Sequence, residues 1–153
     1  MTKLKLLPGA DNEIIMEREF QAPRALVIQA MTTPALIKRW LGGSRATVVT
    51  AEVEHRPGGR YRYVFLRPDG VEFTLSGVYR EVSEDRSVHT EHFNDSPHSS
   101  VVTTTWTEHA GHTTMRVVIV FDSRAVRDMV LGTGMTDGAG ESYDRLEELV
   151  SKR

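Results

Sequence analysis

The sequence predicts an α+β domain in which a curved antiparallel sheet wraps a long C-terminal helix. Three observations predict it. Seven segments read as strands, five of them with the period-2 alternation of a half-buried strand, turn residues separate most of them, and residues 133–150 carry apolar side chains at helical spacing. The 153 residues suit one domain with one core, and 39% apolar with 26% charged residues is the composition of a chain folded throughout.

The first strand covers residues 12–20, where Ile14, Met16 and Phe20 form an inward row that Arg18 interrupts. Two short helices follow. Ala22-Pro23 opens one and Thr33-Pro34 the next, because a first helical residue has no N–H bond to lose to proline. The second, residues 35–40, ends on Lys38 and Arg39 with Gly42 just beyond, as a helix C-terminus prefers.

Six further strands are expected over residues 46–55, 60–67, 71–80, 86–93, 100–108 and 112–121. Arg67-Pro68-Asp69-Gly70, Pro57-Gly58-Gly59 and Ala110-Gly111 supply turns. Pairing Phe65 with Phe73 and Tyr63 with Leu75 puts Tyr61, Tyr63, Phe65, Val71, Phe73 and Leu75 on one face, with Arg62, Glu72, Thr74 and Ser76 on the other. Val102, Thr104 and Trp106, then Met115, Val117, Ile119 and Phe121, continue the apolar face.

The cover comes from the C-terminus. Ser123 introduces a short helix over 124–130, and Thr133 is the expected cap of the long one. Its stripe is Met135, Ala139, Leu146, Leu149 and Val150. Glu141, Asp144, Arg145, Glu147, Glu148 and Lys152 read as its solvated face, with Glu141/Arg145 and Glu148/Lys152 spaced for ion pairs. The small residues Gly138, Ala139 and Ser142 either bring the helix close to its neighbours or leave a void, and a void below the first half is the expectation.

Several function classes drop out. Without cysteine there is no disulfide, thiolate metal site or thiol nucleophile. The first nine residues hold no signal-peptide apolar core and no run is long enough to span a membrane, so a cytoplasmic location is expected. A formal charge of -2 does not gather nucleic acid. A homodimer is compatible with so small a chain.

Glu17-Arg18-Glu19-Phe20-Gln21-Ala22-Pro23, Thr33-Pro34 with Trp40, Pro57-Gly58-Gly59-Arg60-Tyr61-Arg62, Asp69-Gly70 with Gly77, and Gly134-Met135 with Gly138 and Leu146 recur in this order along nearly the whole chain. On these motifs the sequence resembles the START-like or SRPBCC superfamily, specifically the branch named for the activator of heat-shock-protein ATPase, also described as polyketide cyclase-like. The resemblance implies a helix-grip fold and a cavity between sheet and C-terminal helix that holds a small hydrophobic or aromatic molecule. It carries over no agreed catalytic set and implies no cofactor.

His89, Glu91 and His92 invite a metal reading. On a strand, however, His92 points away from the other two, and no metal is expected. Gly132 to Gly138 is one residue too long for a dinucleotide loop and follows no strand, and there is no Gly-x-Ser-x-Gly elbow.

The candidate ligand-binding residues on the sheet are Arg18, Tyr63, Phe65, Phe73, Leu75, Thr104, Trp106 and Met115. Those on helices are Trp40, Met129, Met135, Gly138 and Ser142. Arg18 falls on an inward row, so it needs a carboxylate or a ligand anion. Three readings stand: a small-molecule binding module, a cyclase, dehydratase or hydrolase using His89 or Glu91 as acid or base, and a chaperone-interacting domain. Which face of strand 86–93 looks inward stays open.

Overall fold

The computed structural model describes residues 3–151, so Lys152 lies outside the described residues. Its elements are β1 (Lys5–Leu7), β2 (Glu13–Phe20), α1 (Arg24–Thr32), α2 (Pro34–Trp40), β3 (Thr47–Val53), β4 (Arg60–Leu66), β5 (Glu72–Val82), β6 (Arg86–Phe93), β7 (Ser99–His109), β8 (His112–Val120), α3 (Arg124–Leu131) and α4 (Met135–Ser151). The strands form one antiparallel sheet in the order β1-β2-β8-β7-β6-β5-β4-β3. The eighth strand is the addition to the expected seven. β1 adds three residues at the sheet edge, Leu6 opposite Met16, and three residues are too few to show a period.

The expected register of β4 and β5 is observed, with Phe65 opposite Phe73 and Tyr63 opposite Leu75. Val71 falls outside it: it lies in the turn, exposed, where Arg67 N–H donates to its carbonyl. Pairing of His109 with His112 leaves Ala110 and Gly111 as a two-residue hairpin loop, both at positive φ, as that tight turn requires. Ile14, Met16, Arg18 and Phe20 are all buried on the concave face.

The interior is two apolar clusters where one core was expected. The larger joins β2, β7 and β8 to α1, α2 and α4 through Ile14, Phe20, Val27, Trp40, Met115 and Leu146, among others. The smaller, Ala46, Val48 and Phe65, sits at the β3–β4 edge, and Leu41 packs against both.

The acidic residues of α4 are its fastenings, which corrects their reading as a uniformly solvated face. The buried Arg18 guanidinium donates from Nη1 to Asp144 Oδ1 at 2.6 Å. Glu147, 3% exposed, accepts the Gln21 amide N–H on both carboxylate oxygens at 3.2 Å. Glu141 accepts the Ser44 amide N–H and faces Arg45 at 3.8 Å, where a pair with Arg145 was expected. The physical reason is that amides near the ends of β2 and α2 lack backbone acceptors, and the carboxylates supply them. Arg145 and Glu148 do remain exposed.

The small-residue stripe serves the same junction. Ser142 Oγ accepts the Gly42 N–H at 3.1 Å, and a Cβ on Gly138 would stand 3.5 Å from Arg45 Cδ. The stripe therefore seats the 42–45 loop against the helix, which takes the place of the void expected below it. Thr133 does not cap α4. Its hydroxyl donates to the Val130 carbonyl, and α4 starts at Met135 after Gly134 at φ 79°. Ser123 does cap α3, accepting the Val126 N–H at 3.2 Å.

Asp144→Asn removes the carboxylate that stands 2.6 Å from the interior guanidinium. Because Asp144 itself is half exposed, we expect a loss of about 1–3 kcal/mol in urea unfolding. A midpoint unchanged from the parent protein contradicts the fastening.

Candidate functional site

The open question of strand 86–93 is answered by register. Tyr79 stands opposite His89, His89 opposite Val102, and Glu91 opposite Ser100. Val102 belongs to the buried concave face, so His89 and Glu91 share that face while the exposed His92 points outward. The two groups lie inside the fold, between the two apolar clusters.

Around them is a set of rings. The Tyr61 ring centroid is 5.2 Å from Tyr63, 5.6 Å from Tyr79 and 5.1 Å from His89, and His55 meets Tyr79 edge-on at 5.1 Å. Gly77 makes this packing possible. A Cβ there would fall 1.9 Å from the Thr90 carbonyl oxygen and 2.9 Å from the Tyr61 ring, whose hydroxyl donates to that same carbonyl at 2.7 Å. Toward the sheet edge the row continues through Phe65, stacked on Phe73 at 4.7 Å, to Phe93 at 5.5 Å from Phe73. From the other side α4 presents Tyr143, whose ring lies 6.2 Å from both Phe20 and Trp40.

The exposure of this face carries the functional argument. Tyr63, Phe73, Leu75, His89 and Glu91 all point to the concave side, yet none is sealed, and Phe93 is 51% exposed. A concave face whose side chains keep solvent contact has open space in front of it. At its edge an open cleft of about 570 Å³ runs between the 42–46 loop, the 67–69 turn and Thr133, with Phe73 on its wall.

Electrostatics follow from the partial burial of the groups on this face. Desolvation raises the Glu91 carboxyl to about 7. It lowers His89 to about 4, with repulsion from His55 adding to it. Desolvation also raises the Tyr63 and Tyr61 phenols, and Tyr79 and Tyr143 to about 12, with the Glu91 charge contributing for Tyr61, Tyr63 and Tyr143. His89 Nδ1 is buried with no hydrogen-bond partner among the described residues, as is Trp106 Nε1. No group of three His, Asp or Glu side chains among the described residues is placed to hold a metal ion, and no helix there is long and apolar enough to cross a membrane.

The other candidates from the sequence are distributed unevenly. Tyr63, Phe65, Phe73 and Leu75 meet around the smaller cluster. Trp40, Trp106 and Met115 are sealed in the larger one, Met135 packs against it, and Thr104 is buried on the neighbouring stretch of β7. Arg18 finds its anion in Asp144 of the chain itself, while Gly138 and Ser142 face the 42–45 loop. Met129 is 59% exposed on α3 and so stands outside both clusters. Tyr61, Tyr79, Tyr143 and His55 were missed as site residues. Tyr143 could have been found, since it lies four residues after Ala139 and three before Leu146, on the same helical stripe.

The model of the family described as Activator of Hsp90 ATPase homolog 1-like protein matches residues 21–151. No curated protein matches the chain in sequence. A Rhodobacter sphaeroides protein of known crystal structure is similar at TM-score 0.93 and 23% identity, covering 99% of each chain. A Nitrosomonas europaea protein is similar at TM-score 0.85 and 24% identity, over 95% of this chain and 97% of that one. A Mycobacterium smegmatis protein reaches TM-score 0.82 and 26% identity over 95% of each. These likenesses bear out the helix-grip fold.

The opposed shifts of His89 and Glu91 make a pH prediction. His89, depressed in the fold, makes stability fall as pH drops from 6.5 toward 4, because the unfolded chain takes the proton first. Glu91, raised in the fold, makes stability fall as pH climbs from about 4.5 to 7, because the unfolded chain releases its proton first. The two slopes oppose each other in the parent protein. Glu91→Gln should therefore gain stability with rising pH over 4–6.5, and His89→Gln should lose it over 4.5–7, each by up to about 3 kcal/mol. Parallel pH profiles for the two variants contradict the burial of either group.

Proposed function

The chain belongs to the Activator of Hsp90 ATPase homolog 1-like family, and from that starting point we propose that it binds a small, largely apolar molecule on the concave face between α4 and β4–β6. The observation that carries this reading is the row of inward aromatic side chains that runs from buried Phe65 to partly exposed Tyr63 and Phe73 and half-exposed Phe93. Apolar concavities with a few convergent polar groups are the usual form of a ligand site. Phe65, Phe73 and Leu75 supply the apolar wall, and Tyr63, His89, Glu91 and Tyr143 the polar anchors.

A second reading is supported by the inward direction of β6. A carboxyl titrating near 7 suits proton transfer at neutral pH, so Glu91 is the better acid–base candidate and His89 the weaker one. Turnover of a bound ligand that stops in Glu91→Gln while binding persists supports the enzyme; binding without turnover supports the module. The exposed large apolar residues, among them Leu6, Val78, Val120 and Met129, are spread over different elements, which gives the chaperone-docking reading no focus.

Native mass spectrometry of the purified protein, with identification of whatever dissociates on denaturation, tests the binding reading. A co-purified apolar molecule is the expected result. Phe73→Ala should weaken binding of that molecule, or of an environment-sensitive apolar dye, about tenfold through the lost stack on Phe65 and lost contact area. An empty protein that leaves such a dye in water contradicts the proposal.

A further inference from the structure

Glu91 is an interior carboxyl that the protein does not match. Among the described residues it accepts no hydrogen bond and enters no ion pair, and its neighbour across the β6–β7 ladder is the small Ser100. The groups facing it from the surrounding elements are the phenols of Tyr61 and Tyr63 on β4 and of Tyr143 on α4, all within reach of its charge. Tyr79 on β5 and the imidazoles of His89 and His55 complete the surroundings.

None of these supplies a positive charge. The tyrosines stay neutral, and burial holds both His89 and His55 below the usual imidazole range, so neither carries its charge above neutrality. The concave-face guanidinium of Arg18 is paired with Asp144, and that of Arg45 in the 42–45 loop faces Glu141. The Tyr61 hydroxyl is committed to the Thr90 carbonyl. A carboxylate drawn partly out of water without a partner is costly to a fold, so a site that keeps one gains most from a ligand that brings the missing charge.

We propose that this site takes organic cations, a protonated amine on an aromatic or aliphatic body, with the charge against the Glu91 carboxylate and its flanks against the tyrosine rings. The inference rests on the binding reading above and adds the ligand's charge class. Aromatic faces carry negative electrostatic potential and attract a cation while accepting its apolar flanks. The same faces and the carboxylate repel a carboxylate ligand. Because desolvation raises Glu91 toward 7, the ionised form that holds the cation is fully available only above neutrality.

The test is a charge series on one body, 2-phenylethylamine, 2-phenylethanol and 3-phenylpropionate, titrated calorimetrically into the full chain at pH 8. The amine is expected to bind at least about tenfold tighter than the alcohol, and the carboxylate weakest. Lowering the pH from 8 to 6 should weaken the amine about tenfold as Glu91 takes up its proton, and should leave the alcohol unchanged. Glu91→Gln should bring the amine to the level of the alcohol. This variant's folding is checked by its circular dichroism, while the pH series on the parent protein needs no substitution. An alcohol that binds as well as the amine, or an amine whose affinity ignores pH, overturns the charge inference and leaves the binding reading intact. If neither these compounds nor an apolar dye binds, both fail.

Discussion

A sheet of eight strands is wider than one helix can cover. At strand spacings near 4.8 Å the sheet is roughly 34 Å across, whereas a helix with its side chains is about 10 Å in diameter. The chain spends α1 and α4 on the β2–β8–β7 half, where Phe20, Met115 and Leu146 are fully buried, while α2 packs on α1, α4 and the far-edge strand β3. The β4–β6 half receives no comparable cover. Curvature brings it over the helix without closing onto it, and the interior divides into two apolar clusters joined through Leu41. The polar concave residues lie at that division.

An open half is stable only if the helix beside it is held from other directions. The bonds that hold α4 come from its polar side: Arg18 to Asp144, the Gln21 amide to Glu147, the Gly42 amide to Ser142 and the Ser44 amide to Glu141. Each gives an acceptor to a backbone or side-chain donor, and each ties α4 to the end of β2 or to the loop after α2. The helix is thus positioned without closing on β4–β6. Tyr143 is the residue of α4 that reaches from the sealed cluster toward Glu91.

Much of the sheet was legible because its signal is local. Period-2 alternation fixed the β4–β5 register to the residue, and the inward row of β2 included its anomalous Arg18. β1 carried no signal because three residues have no period. The roles of Glu141, Asp144 and Glu147 were hidden for a different reason: charges on a helix read as solvated unless the orphan donors they meet, distant in sequence, are known. The small stripe of α4 was ambiguous between void and close approach, and the 42–45 loop decided it. For β6, the alternation placed His89 and Glu91 together but not which side they faced. Only pairing with Val102 and Ser100 settles that, since side follows from the neighbouring strand. Tyr61 and Tyr79 were missed because each is ordinary core on its own strand, and Gly77 and His89 alone make them a cluster.

The central claim is that the β4–β6 half of the concave face is open to a ligand while the β2–β8 half is sealed. Aromatic ¹H–¹³C NMR during titration with an environment-sensitive apolar dye measures this directly. Resonances of Tyr61, Tyr63, Phe73 and Tyr143 should move together and saturate, while Phe20 and Trp106 move little. Saturable shifts confined to Phe20 and Trp106, or shifts only at residues outside the concave face, contradict it.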